Sequence, residues 1–417
     1  MWRVPPFAAY FQGERMTLTL LFDLDDTLLD ANMDEFIPAY FHALGKAMSP
    51  YVASEEMLKH LMVGTNAMVS HDSPDETLQD VFERDFYPHF DTGRDILDPA
   101  IAQFYAEIFP TLAYLTKPRP EAVDLVEWAF AQGHRVAIST NPLFPRAAID
   151  HRLRWAGLAP EKYPFEVISS FESFHFSKPN PAYLAEVLGQ MGWPEGPVLV
   201  VGDDEVRDML AAEELGLAMY WIADEDAQIP EGRAPIAGRG SIGGVRSWIE
   251  SLDKEMLLPR YQAKTSIVAT TKAVPAILKQ LLKDIPNEKW IYSANPDEWN
   301  ITEILGHLRD VEREVNLPRI QTFLHEENPF ITADDTDLWV AERGYAQKDG
   351  EAILHDFIAT RLDTIAALEG LSEFDWQRSG RHAIFGPITL QEQLGFTAEH
   401  DRVHIRQVYN TLKKRKK

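Results

Sequence analysis

Four acids stand within the eleven residues of LLFDLDDTLLD: Asp23, Asp25, Asp26 and Asp30. They follow a short apolar run that reads as a buried strand. Carboxylates held so close repel one another unless a cation sits among them. A second acidic set, Asp203, Asp204 and Asp208, ends the run GPVLVVGDDEVRD. If both strand ends open into one crevice, their carboxylates can surround Mg²⁺, which takes one or two of them with waters and phosphate oxygens. VAISTNP ends in Thr140 and Asn141, a hydroxyl and an amide beside strand-end N–H groups. HFSKPNP places Lys178 just ahead of a helix start. A lysine, a hydroxyl donor and a metal ion together neutralise and orient a phosphoryl group.

A second constellation lies near the other end of the chain. In TAEHDRVHIRQ, His400 and His404 are four apart, which stacks two imidazoles on one helix face. His307, in NITEILGHLRDVE, sits on an earlier helical stretch. Three protein nitrogens with an open position are how a catalytic Zn²⁺ site is usually built, and imidazole also suits Ni²⁺ or Fe²⁺. The glutamate of HExxH is absent, so the pair does not resemble a zinc protease.

The elements that must position these groups follow from hydrophobic patterning. LTLLFDL (18–24), HRVAIST (134–140), GPVLVVGDD (196–204) and FEVISS (165–170) read as buried parallel strands. Helical patterns such as 120–133 and 180–192 separate them, which predicts a Rossmann-like, doubly wound α/β sheet. Residues 31–116 contain amphipathic helical patterns and no strand, so they read as a helical insertion after the first strand. The stretch 223–244 is rich in Gly and Pro, and 245–252 closes the domain. From 263 to 412 four amphipathic stretches and no strand-type run predict an all-α four-helix bundle, reached through a linker at 254–262.

The four strand-end motifs, in this order, resemble the haloacid dehalogenase-like hydrolase superfamily over residues 17–253, with the insertion as its helical cap. That resemblance implies that Asp23 is the nucleophile and Asp25 the general acid and base. Thr140, Asn141 and Lys178 would hold the phosphoryl group. Mg²⁺ would be bound by Asp23, the Asp25 carbonyl and Asp203, with Asp208 in support. Metal-free dehalogenase members lack the second aspartate of the first motif, so Asp25, Asp203 and Asp208 favour phosphoryl transfer, with phosphate monoester hydrolysis ahead of a phosphomutase. Residues 263–412 resemble the DinB-like four-helix bundles, through WNITEILGHLRDVE, DTDLWVAERGY, FIATRLDTIAALEGLSEFDWQR and FGPITLQEQLGFTAEHDRVHIRQV. That family carries a metal-binding histidine triad, and His307, His400 and His404 fall on it, implying Zn²⁺ or Ni²⁺. Its members include thiol-dependent transferases, so the bundle as the main enzyme is one rival reading. A non-catalytic module for dimerisation or partner binding is another.

Composition narrows the partners. The 417 residues carry a net charge of −25, and removing the +5 of the tail Lys413 to Lys417 leaves −30. Phosphate backbones call for basic surface, so nucleic acid is not expected and the 413–417 tail reads as a solvated terminus. No apolar run approaches a membrane span, and the absence of cysteine fits a reducing compartment. A cytoplasmic protein acting on a small phosphorylated metabolite, with association of two copies through the bundle, is the expectation. Residues 1–16 read as an N-terminal extension without a fold role. Asp26, Asp30 and Asp204 are expected as solvent or capping acids, and His71, Arg84, His325 and His355 as surface residues, with substrate contact the alternative for His71 and Arg84. His382 reads as a loop histidine near the second site, and Trp290, Trp299, Trp339 and Trp376 as bundle core.

Overall fold

The computed structural model describes residues 16–224, 226–228, 236–293, 295 and 297–415. Apart from Met16, the expected N-terminal extension lies outside them, as do Lys416 and Lys417 of the basic tail. The described chain forms two compact units, one of residues 16–187 and 195–260, the other of residues 188–194 and 261–415.

In the first unit the branched apolar runs form strands buried on both faces. They are β1 (Thr19–Phe22), β2 (Arg135–Ile138), β3 (Val167–Ile168) and β4 (Val198–Gly202). Two further strands, β5 (Ala218–Ile222) and β6 (Ile236–Gly240), extend the sheet beyond the four expected. AMYWI holds Ala and Met, which suit a helix equally well, so only pairing with β4 makes it a strand. Among the described residues the order is β3-β2-β1-β4-β5-β6, every pair parallel. The succession reverses at β1, whose flanks are β2 and β4. In such a sheet the crevice outside the carboxyl ends opens at this reversal. Register aligns Phe22 with Ile138 on one side and Val201 on the other.

The insertion enters and leaves through a two-residue antiparallel ribbon, Leu29–Asp30 against Lys117–Pro118. Between these it is helical: α1 (Met33–Met48), α2 (Ser54–Ser70), α3 (Leu78–Phe86) and α4 (Arg94–Gln103), then irregular turns to Leu115. A capping box of Thr77 and Asp80 starts α3. Phe36, Leu44, Met57, Phe86, Phe104 and Phe109 give the cap a core of its own. The crossover helices α5 (Pro120–Ala131), α6 (Arg146–Trp155) and α7 (Pro181–Gln190) follow, and α8 (Val245–Ser251) packs through Val245 and Ile249 into the sheet's core.

The second unit is a helical bundle. Its helices are α9 (Lys264–Leu282), α10 (Ile301–Val311), α11 (Leu317–His325), α12 (Gly350–Glu369) and α13 (Leu390–Arg415). A π-turn at Glu312–Asn316 joins α10 to α11, so the four expected stretches are present. Strands were not expected here, yet β7 (Phe330–Ile331), β8 (Ser379–His382) and β9 (Gly386–Thr389) form a small sheet. Its strands are only two to four residues long, and nonlocal pairing of β7 with β8 leaves no periodicity to read. His382 therefore ends a strand, where its Nδ1 accepts from the N–H groups of Ile384 and Phe385. Trp290 and Trp376 are core as expected, whereas Trp299 and Trp339 are half-buried.

Arg361 of α12 lies wholly buried at the centre of the bundle. Its guanidinium donates to Glu312 at 2.9 and 2.8 Å and to Asp401 at 2.6 and 3.0 Å. This pairing ties α12 and the π-turn to the face of α13 that carries His400. Replacing Arg361 with Met leaves two buried carboxylates without their cation. Chemical denaturation should show the variant less stable by about 3–5 kcal/mol, the scale for breaking a buried ion pair from one side.

Candidate active site and candidate metal centre

The acids at the end of β1 are placed by sheet pairing. The N–H of Asp23 donates to the Val201 carbonyl at 2.9 Å, and the N–H of Ser139 to the Phe22 carbonyl at 2.7 Å. Asp23 is thereby fixed between the ends of β2 and β4. Carboxylate oxygens of Asp23, Asp203 and Asp208 lie within 4.8 Å of one another. Lys178 Nζ bridges two of them, donating to Asp23 Oδ1 at 2.7 Å and to Asp208 Oδ1. Gly202 makes this approach available, since a Cβ there would stand 2.4 Å from Asp208 Oδ2.

Burial pushes the Asp23 carboxyl well above the usual range; Lys178 opposes this, and Asp208, Asp203 and Asp25 add to it. Asp203 is pushed up to about 6, by burial first and then by Asp208 and Asp26. Burial works against the Lys178 charge, but Asp208 and Asp23 hold its pKa above the ordinary value. One ammonium thus faces three carboxylates, and a hard divalent cation is the chemistry that this oxygen donor set fits.

The remaining expected residues surround this core. Asn141 Oδ1 accepts from the Lys178 N–H at 3.1 Å. Thr140 is buried, its carbonyl held by Ser169 Oγ and Tyr183 Oη, both at 2.7 Å. Asp25 is turned the other way, its Oδ2 accepting from Arg152 Nη1. Asp26 and Asp204 cap backbone N–H groups: Asp26 those of Ala31 and Asn32, Asp204 those of Val206 and Arg207. Arg84 is exposed and paired with Glu76 and Asp85. Sequence reasoning missed Thr27, whose hydroxyl donates to Asp203 Oδ1 at 3.2 Å, and Arg152. A signal for Arg152 existed: it is a cation inside the apolar stripe of Ile149, Leu153 and Ala156.

In the bundle, α10 and α13 bring three imidazoles together. Nε2 of His400 lies 3.0 Å from Nε2 of His307 and 3.0 Å from Nε2 of His404. Ligand nitrogens about 2.0–2.1 Å from one tetrahedral ion would be separated by roughly 3.3 Å, so the set fits a divalent metal. Gln407 Oε1 accepts from His404 Nδ1 at 2.7 Å, which fixes the tautomer that turns an Nε2 lone pair inward. Trp299, expected as core, lies parallel to the His404 ring at 5.9 Å.

Residues 17–216 match the model of the haloacid dehalogenase-like hydrolases, and residues 270–408 that of the DinB superfamily. The chain therefore joins a haloacid dehalogenase-like hydrolase domain to a DinB superfamily domain. A protein of Oceanobacillus iheyensis named as a candidate metal-dependent hydrolase is 25% identical over 142 residues, 34% of this chain and 81% of its own. Among solved structures, YfiT of Bacillus subtilis, described as an unusual four-helix bundle, is 23% identical. It covers 40% of this chain and 90% of its own, with a TM-score of 0.34. A HAD phosphatase of Thermococcus onnurineus is 18% identical over 57% of this chain and 100% of its own, with a TM-score of 0.36. Among the described residues, no helix is long and apolar enough to cross a membrane.

Burial, foremost, lowers His307 to about 4, His404 to about 3 and His400 well below the ordinary value. An unfolded histidine titrates near 6.5, so below that pH the unfolded chain binds protons that the folded triad refuses. Protein stripped of metal should therefore lose stability as pH falls from about 6.5 towards 4. Denaturation midpoints across this range should fall less steeply in a His307→Asn/His404→Asn double variant.

Proposed function

We propose that the first domain hydrolyses phosphate monoesters with Mg²⁺, through a phosphorylated Asp23. The observation carrying this reading is the buried cluster of Asp23, Asp203, Asp208 and Lys178 at the switch point of the sheet. Asp23, with its Oδ1 beside the Lys178 ammonium, attacks phosphorus, and the ester oxygen leaves with a proton from Asp25. Asp25 then takes a proton from water as the water attacks the phosphorylated Asp23, releasing inorganic phosphate. Lys178, with the Thr140 hydroxyl and the Asn141 amide, neutralises and orients the transferring oxygens. Asp23 and Asp203, with the Asp25 carbonyl, would hold Mg²⁺, and Asp208 would act in support. The ion would supply charge for the phosphoryl oxygens. In this reading Asp25 turns from Arg152 towards the ester oxygen to act.

The bundle is a second metal centre in this reading, with His307, His400 and His404 holding Zn²⁺ or Ni²⁺ through Nε2. Such an ion would lower the pKa of a bound water. Neutral imidazoles, with the His404 tautomer fixed by Gln407, support this assignment over a purely structural histidine cluster.

Release of inorganic phosphate from a panel of small phosphate esters, with Mg²⁺ and after EDTA treatment, tests the first proposal. Asp23→Asn should remove all turnover. Asp203→Asn should raise the Mg²⁺ requirement by about tenfold or more, the scale for losing one charged ligand contact. Turnover that persists in folded Asp23→Asn would refute the nucleophile assignment.

A further inference from the structure

The cleft beneath the cap holds a cation that the phosphoryl chemistry does not use. Its cavity is about 1350 Å³, with apolar side chains such as Phe41, Leu61 and Phe82 among its lining. Arg152, on α6, lines it too and is only 1% exposed. Nη1 donates to Asp25, and the guanidinium lies over the Phe144 ring, 4.6 Å from its centroid. Nε and Nη2 are buried and have no acceptor among the described residues. Together these atoms are one edge of the guanidinium, the fork that takes both oxygens of a carboxylate. Donors of a buried cation left unmatched are costly, and an acceptor brought by a ligand removes that cost.

Two cap residues add hydroxyls to the same wall. Tyr40 Oη and Tyr105 Oη are 2.8 Å apart, and both tyrosines are buried and line the cavity. Only one of the two can donate to the other, so the second retains a proton for another acceptor. Burial raises both phenols, the Arg152 charge opposes this in each, and the three groups therefore share one electrostatic neighbourhood. The other cavity arginines differ: Arg94 is paired with Glu83, Arg154 with Glu161 and Arg207 with Asp204, and all three are exposed.

We propose that Arg152, with the Tyr40 and Tyr105 hydroxyls, is a carboxylate-recognition site. The substrates are accordingly phosphate esters whose apolar organic part carries a carboxylate. This rests on the phosphatase reading of the neighbouring aspartates. Because Nη1 holds Asp25 before it turns to act, the recognised carboxylate lies beside the resting position of the group that protonates the ester oxygen. Substrate selection and positioning of the leaving group are thus joined at one guanidinium.

Calorimetric binding of phenylpropanoate and of phenylpropanol to the full chain tests the site without any turnover. The carboxylate should bind about tenfold or more tightly than the alcohol, as for a desolvated charge pair. Arg152→Lys, which keeps the charge and loses the fork, should erase that difference and leave the alcohol's affinity unchanged. Tyr105→Phe should reduce it in protein of unchanged melting temperature. Equal affinity for the two probes, no binding of either at millimolar concentration, or parallel loss of both in the variants overturns the proposal. These outcomes stand whether or not the protein releases phosphate. Where it does, the kcat/KM preference for carboxyphenyl phosphate over phenyl phosphate should fall towards unity in Arg152→Lys, chiefly through KM.

Discussion

The ammonium of Lys178, held between Asp23 and Asp208 in a nearly water-free crevice, is the contact on which the first unit depends. Three carboxylates converge there, and without compensation their repulsion would open the carboxyl edge of the sheet. Lys178 offsets part of it from a loop packed against β1, and Gly202 removes the Cβ that would keep Asp208 away. The excess of negative charge that remains is what suits this crevice to a divalent cation. Stability and the proposed chemistry pull on the same atoms, because the charges that strain the folded state are the ones that would hold the ion.

The bundle resolves a similar conflict in the opposite sense. Its polar interior is closed by Arg361, whose bonds to Glu312 and Asp401 match the guanidinium to two carboxylates. Asp401 is next to His400, so the ion network and the histidine triad share a turn of α13 and fix its rotation together. The imidazoles stay neutral because burial opposes their protonation, which keeps lone pairs available to a metal.

Between sheet and cap the arrangement is more open. A cap with its own aromatic core is joined through a ribbon only two residues long on each side. In the proposed reading its walls carry side chains concerned with the substrate's organic part, while the strand ends carry those concerned with phosphorus. Asp25 stands at the meeting of the two regions, in the strand-end motif by sequence and on Arg152 by contact.

Much of this was legible in the chain itself. Branched apolar runs, two of them leading into acids, specified the first four strands, since a parallel strand buried on both faces admits little else. Spacing on helices put His400 and His404 on one face, and the four bundle stretches carry a 3.6-residue period. What the sequence could not decide depended on partners distant along the chain. AMYWI and the short strands around His382 acquire their state only from pairing. Trp299 takes its place from the histidines it lies against, and Thr27 from Asp203. Arg152 shows in the sequence only as a cation within an apolar helical stripe. Tertiary packing buried it, set one N–H on Asp25, 127 residues away, and left Nε and Nη2 without an acceptor among the described residues. Local patterning records which face of an element is apolar, whereas the matching of buried donors to acceptors is settled only when distant elements meet.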